Sequence, residues 1–322
     1  MVRFVLHRVF QSALVLLIMS FVIYGLMGLM PGDPIDLMIT SDPKMTSEDA
    51  ARLRALYGLD TPVTERYWHW LQNVLAGDFG FSRLFARPVF DVIWPAFSNT
   101  AVLLGLSFLL ALMIALPLGI IAAARPYSGL DYGINLFVFA GISVPPFWLS
   151  LLLMTLFAVI LGILPAGGTA QAAGASGFWE SAKYLVLPIA SLTIASIGGH
   201  ARFMRASMIE TLRNDYIRTA RAKGLSRTRV ITTHALRNAL IPVATVIALD
   251  FGYLFSGALV TETIFSYPGM GKLIFDSIMG NDYNLALIAL LFATAFTLFG
   301  NFLADAAYTW LDPRLKFGRK NE

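Results

Sequence analysis

Six stretches of the sequence stay apolar for long enough to cross a lipid bilayer, and this excludes most ways such a chain can fold. A bilayer core about 30 Å thick is crossed by roughly 20 residues in helical conformation. The candidates run from about Val9 to Met30, Ala101 to Ala124, Ile134 to Leu164, Tyr184 to Gly199, Ala239 to Val260 and Leu285 to Tyr308. Composition agrees. Of 322 residues, 57% are apolar and 14% charged, and the mean hydropathy is +0.68, whereas soluble domains carry roughly a quarter charged residues. One water-soluble core of this length cannot hide so much apolar surface, so the surplus faces lipid. The expected fold is an all-α membrane protein with about six transmembrane helices.

Two spans have irregular features. The third is longer than one straight crossing needs and contains Pro145-Pro146, which removes two backbone donors and predicts a tilted or kinked helix. The fourth is short and interrupted by Pro188, and its basic extension into Arg202 and Arg205 reads as the same helix continuing beyond the membrane. The first span follows Arg3, His7 and Arg8 as a signal peptide would, but Pro31-Gly32-Asp33-Pro34 stands where a small-residue cleavage site belongs. An uncleaved signal anchor fits better.

Charge sets the expected orientation. The segment from Ala201 to Asn238 holds nine Lys and Arg against Glu210 and Asp215, and the tail adds Arg314, Lys316, Arg319 and Lys320. The connections near residues 165–183 and 261–284 carry only Lys183 and Lys272. The positive-inside rule therefore puts both termini and the 201–238 loop in the cytoplasm. The expected organisation is an anchor span (1–30), an extracytoplasmic segment (31–98), a five-helix core (99–309) and a cytoplasmic tail (310–322). The extracytoplasmic segment is expected to hold two short helices. One opens at Thr46 or Ser47 and closes at Gly58; the other has Thr61 as N-cap and Pro62 at its first position, and stops near Gly77. Its Tyr67-Trp68-His69-Trp70 suits a membrane–water boundary and a small packed core equally well.

Most catalytic chemistry is excluded. The chain has no cysteine, hence no disulfide, thiolate metal site or cysteine nucleophile. His7, His69, His200 and His234 lack metal-ligand spacing. The string Pro268-Gly269-Met270-Gly271-Lys272-Leu273 lacks the first glycine and the final hydroxyl of a phosphate-cradling loop, and reads as a turn before a helix. Asp250 is the one charge near the middle of a span, where ionisable groups are costly. It either lines a water-filled path or pairs within the bundle. Glu262 and Asp305, nearer the span ends, fit structural roles better. Nothing in the pattern points to nucleic acid.

The 201–238 segment is basic yet not of low complexity. Tyr216, Ala220 and Lys223 fall at helical spacing, and Gly224 is placed to end that helix in a left-handed cap. Ser226 can then N-cap a second helix through Val230, His234 and Asn238 into the fifth span. A small-residue face beside a glycine turn allows close approach of another protein. A solvated basic loop attracted to anionic lipid explains the charge, but not a glycine turn between two helix signals.

This segment resembles the conserved cytoplasmic loop of permease subunits in binding-protein-dependent ABC importers, in particular the dipeptide/oligopeptide/nickel group. Arg218 and Thr219 stand where the general pattern has Glu and Ala, and Pro242 lies farther from Gly224 than in sugar importers; both are usual in the peptide group. Further similarities are Pro31-Gly32-Asp33-Pro34, Tyr57-Gly58-Leu59-Asp60 with Pro62, Gly77-Asp78-Phe79-Gly80 with Ser82, the run Glu262 to Gly271 followed by Asp282-Tyr283, and Asp312-Pro313-Arg314-Leu315. The start of the outer segment matches the first of the two permeases usual in such systems.

The resemblance implies the type I importer permease fold and a transport subunit rather than an enzyme. It implies partners: a second homologous permease, two ATPase subunits that bind ATP and Mg, an extracytoplasmic binding protein and membrane lipid. No cofactor is expected in this chain itself. By the same resemblance Tyr216, Thr219, Ala220, Lys223, Gly224, Leu225, His234, Arg237 and Asn238 form the ATPase-coupling loop, with Ala220 and Gly224 as its small residues. Asp250, Pro145 and Glu262 are the candidates for the translocation path. Peptides are the expected substrate, with a nickel chelate, sugar or opine as alternatives. A secondary transporter would need repeated halves with broken helices at the midplane, and no internal repeat is visible.

Overall fold

A computed structural model describes residues 2–29, 61–253 and 258–311. The expected helix ending at Gly58, the motifs at 31–34 and 57–60, and the tail motif at 312–315 lie outside these residues. Among the described residues five helices are long and apolar enough to cross a membrane, and a bent pair brings the number to six. The chain divides into two compact units, Met1–Ser98 with Gly269–Phe296, and Asn99–Pro268 with Thr297–Glu322. Residues 269–296 thus group with the N-terminal part, although the sequence assigned them to the core.

In the first unit, α1 (Val2–Gly28) packs on α2 (Val63–Leu75). The Ser20 and Tyr67 hydroxyls share a hydrogen bond of 2.8 Å, and Tyr67 meets Phe21 and Tyr24 edge-on at 5.2 and 5.6 Å. Helical spacing turns Tyr67 and Trp70 inward together, while Trp68 is 57% exposed. The packed-core expectation for the aromatic phrase is therefore met by Tyr67 and Trp70. Pro62 is the N-cap of α2, one residue later than the sequence put it.

A short hairpin follows, β1 (Phe81–Ser82) antiparallel to β2 (Arg87–Pro88), and leads into α3 (Val89–Ala124). The first turns of α3 bury Val89, Ile93 and Ala96 against α10 (Met270–Met279) and the start of α11 (Tyr283–Leu311). A polar staple holds the hairpin there. Asp282, 2% exposed, accepts from Ser82 Oγ at 2.6 Å, from Leu84 N at 3.0 Å and from Leu285 N at 3.2 Å. Asn284 Nδ2 donates to the Phe79 and Phe81 carbonyls. Gly80 takes φ +72°, which favours glycine, and a Cβ there would press on the Asn284 amide and displace it from these carbonyls. The two motifs around Gly80 and Asp282, some 200 residues apart, thus form one structural site.

The second unit is built around α6 (Phe178–Leu212), against which α4 (Gly129–Ser143), α5 (Pro146–Met154) and α8 pack. The helix α8 is continuous: an α turn (Arg227–Arg229), a π-helical segment (Val230–Ala235) and an α-helix (Leu236–Tyr253). At about 1.5 Å per residue, the 35 residues of α6 reach about 52 Å, well beyond a bilayer core. Pro188 sits inside α6 without ending it, so the short fourth span lies within a longer helix that continues past Arg202 and Arg205. Seryl hydroxyls join neighbouring helices, as between Ser150 and Ser191 at 2.7 Å.

The third span differs from expectation. It is not one kinked helix; α4 and α5, with its π-helical continuation (Thr155–Ile160), are bent by 95°. The cause is local. A residue before proline is pushed from the α region, and Val144 and Pro145 each precede a proline. Both are extended, at φ −90°, ψ 123° and φ −57°, ψ 134°. Two consecutive non-helical residues turn the chain instead of bending the helix.

Candidate functional site

The loop between α6 and α8 is a compact structure. After Asn214, α7 (Asp215–Ala222) runs for eight residues with Asp215 in its first turn, where a carboxylate complements the helix dipole. Its end is closed by two backbone bonds, Gly224 N to Arg221 O at 3.0 Å and Leu225 N to Ala220 O at 3.4 Å. This is the Schellman pattern, which requires a left-handed residue; Gly224 supplies it at φ +77°. Ser226 caps α8, its hydroxyl accepting from Arg229 N at 3.4 Å. The Arg227 guanidinium donates to the Ala124 carbonyl at the end of α3.

Ile217 and Ala220 hold α7 down. Both are buried with Ala123, Met204, Met208, Val230, Ala235, Ala239 and Val243, and Leu225 packs beside them. Ala220 is therefore small because it lies under α7 against its own chain, and it does not present a small-residue face to a partner as the sequence implied. The open side of α7 carries Tyr216, Arg218, Thr219, Arg221 and Lys223. Tyr216 OH accepts from Asn238 Nδ2 at 2.9 Å, so two expected loop residues from different helices meet. Arg237 is exposed, and His234 is half-buried. Open space surrounds the position of a Gly224 Cβ, so its constraint is conformational.

The π-helical segment explains the placing of His234. Val230 and Ala235, five apart, both point inward, followed by Ala239 and Val243 at intervals of four. An uninterrupted α-helix would bury position 234. The wider turn moves the buried stripe on by one residue, which spacing alone does not reveal.

A buried ion pair beneath the loop was not foreseen. Arg205 Nε and Nη2 donate to Asp131 Oδ1 and Oδ2 at 2.7 and 2.6 Å. Asp131 also accepts from Tyr127 N at 2.8 Å and Asn135 Nδ2 at 2.7 Å. Its carboxylate is thus fully engaged at 1% exposure. The available signal was Ser128-x-x-Asp131, a capping-box spacing; Ser128 does cap α4.

The path candidates separate. Asp250, on α8, lies 3.0 Å from His200 Nε2 on α6 and keeps 44% of its side chain exposed. Pro145 is exposed at the bend. Glu262, on α9 (Leu259–Ile264), is 0% exposed and accepts from Thr100 Oγ1 at 2.6 Å. Its enclosure fits a structural role better than a place on the path. Nearby, Tyr267 donates to the Asn99 carbonyl at 3.3 Å. Its phenol is pushed up to about 12 by burial and by the Glu262 charge. The glycine-rich string opens α10 with Gly269 as N-cap, and Lys272 pairs with Asp276 at 2.5 Å.

Apolar spanning helices around a basic helix–glycine–helix loop define a multi-pass membrane subunit with no catalytic constellation among its described residues. The chain belongs to the family of binding-protein-dependent transport system inner membrane components, whose profile matches residues 115–317. The N-terminal profile of the same membrane components matches residues 1–103. It is 37% identical over 318 residues to the oligopeptide transport system permease protein AppB of Bacillus subtilis, covering 98% of this chain and 100% of that one. It is 36% identical over 320 residues to the oligopeptide transport system permease protein OppB of Haemophilus influenzae, with coverage of 98% and 100%. With the glutathione transport system permease protein GsiC of Salmonella typhimurium the identity is 37% over 319 residues, again covering 98% and 100%. The chain is accordingly a permease subunit of an ABC importer, a transport component and not an enzyme.

Proposed function

We propose that this chain forms half of the translocation path of an importer for di- and oligopeptides, completed by a second homologous permease. The observation that carries this reading is the α7–Gly224–α8 loop, rigid on its inner side and open on its basic outer side. The names of the relatives, oligopeptide and glutathione permeases, support a peptide substrate and do not favour a nickel chelate, sugar or opine. The asymmetry of Lys and Arg supports a cytoplasmic loop and cytoplasmic termini. Two ATPase subunits bind ATP and Mg and dock on the exposed face of Tyr216, Thr219 and Lys223. An extracytoplasmic binding protein delivers the peptide and supplies most of the selectivity.

The mechanism follows from the packing. Ile217 and Ala220 fasten α7 to α6 and α8, so closure of the ATPase dimer beneath α7 displaces both long helices together. The Asp131–Arg205 pair extends that movement to α4 and the bend at Pro145-Pro146. Gly224→Leu tests the lever. A side chain there has room but must adopt a left-handed conformation, at a cost of about 1–2 kcal/mol. The expected result is a complete transporter that hydrolyses ATP without importing dipeptide. Unchanged coupling in that variant defeats the lever reading. Purification of the tagged chain with stoichiometric ATPase and second-permease subunits checks the assembly.

A further inference from the structure

His200 and Asp250 form a polar pair that the loop mechanism leaves unused. The His200 side chain is 8% exposed. Its Nδ1 lies 3.0 Å from the Ser196 carbonyl oxygen, its Nε2 lies 3.0 Å from Asp250 Oδ2, and the Phe108 ring packs edge-on at 5.8 Å. Both ring nitrogens therefore face oxygen acceptors. A neutral imidazole has only one N–H.

The two members are enclosed unequally. His200 is shut in by its own chain, while Asp250 keeps an open edge. A carboxylate edge against acyl chains is costly, so that edge faces protein or water. The contact with His200 is short but lacks the alignment of a hydrogen bond, leaving Nε2 without such a partner. The nearby cations of α6 are committed elsewhere: Arg202 lies over the Phe139 ring at 5.4 Å, and Arg205 is bidentate to Asp131. Among the described residues, Asp250 is thus a carboxylate with spare acceptor positions, held by one loosely aligned partner.

We propose that Asp250 is a recognition point for a primary ammonium group of the passing solute, and that His200 occupies it between passages. This rests on the peptide reading above. An ammonium group has three donors and matches an open carboxylate edge better than one misaligned imidazole N–H does. The ammonium can be a peptide N-terminus or a basic side chain.

The test is import by the complete transporter, its binding protein included, in proteoliposomes, normalised to assembled complex. Three probes separate the sources: alanyl-alanine, N-acetyl-alanyl-lysine and N-acetyl-alanyl-alanine. Asp250→Asn is expected to lower import of the probe whose ammonium is recognised about tenfold, and to spare the probe with none. Asp250→Glu restores most of the loss. His200→Ala, which frees the carboxylate, loses less than Asp250→Asn on the recognised probe and keeps the parent's preference among the probes. Equal losses in Asp250→Asn and His200→Ala for every imported probe mean a structural latch and overturn the proposal, as does parental import by Asp250→Asn. If the parent imports none of the three, the peptide reading itself fails and the proposal with it. Where only alanyl-alanine is accepted by the parent, the comparison of the two variants on that probe decides.

Discussion

The helix α6 carries two carboxylate contacts five residues apart, and they are built in opposite ways. Arg205 reaches Asp131 through two aligned donors, and the carboxylate has two further donors and almost no exposure. His200 reaches Asp250 through one short, unaligned contact, and that carboxylate stays open. A buried charge is stable where every acceptor is matched, and removing one partner then leaves a large uncompensated cost. The first pair is a fastening. The second is suited to exchange.

The sharpest attack on this contrast is Asp131→Ala. It strands Arg205 and is expected to cost about 3–5 kcal/mol, read as a loss of assembled chain in membranes and a lower melting temperature of the purified protein in detergent. A shift no larger than that of Asp250→Asn would erase the distinction.

Alkaline unfolding comes next, since Tyr267 is also enclosed. Its pKa is raised from an ordinary 10.0 to about 12, so the folded state retains a proton that the unfolded chain loses. The contribution is complete below about pH 10, is lost as pH rises toward about 12, and is on the order of 2–3 kcal/mol. Tyr267→Phe should remove that part of the pH dependence.

Ser207→Ala provides a smaller reference on the same helix. It deletes a buried bond of 2.7 Å to the Ala239 carbonyl, worth about 0.6–1 kcal/mol between membrane helices, and melting should move accordingly. The smallest stability effect belongs to Asp250→Asn, about 0.5 kcal/mol, because the contact it weakens is misaligned and the Asp250 side chain is 44% exposed. A loss above that of Ser207→Ala would show the pair to be a fastening as well.

Much of the architecture was legible because lipid enforces it. The apolar runs marked the spanning helices, and Gly224 and Ser226 marked the turn, since each signal is local. The limits were less legible. Asp91, Ser98 and Asn99 lower the hydropathy at the start of α3, so its first turns escaped notice although they bury Val89 and Ile93 in protein. The prolines at 145 and 146 predicted an irregularity, but the size of the bend depends on both residues becoming extended together. The inward turn of Ala220 and the enclosure of Glu262 are tertiary facts, because the same side chains serve an outer face or an inner one. The π-helical shift at Val230–Ala235 changes which residue is buried without changing the residues themselves. Asp131 and Arg205 lie 74 positions apart, and nothing along the chain announces their meeting.

The bend at Pro145-Pro146 also dictates where the backbone cannot face acyl chains. The last carbonyls of α4 and the first amides of α5 lack partners in their own helices, inside a run of sequence otherwise fit for hydrocarbon. Backbone polar groups within hydrocarbon must meet protein or water. Because the chain has no native cysteine, a single one introduced beside Val144 would tell the two apart, since only a hydrated bend reacts with a membrane-impermeant thiol reagent.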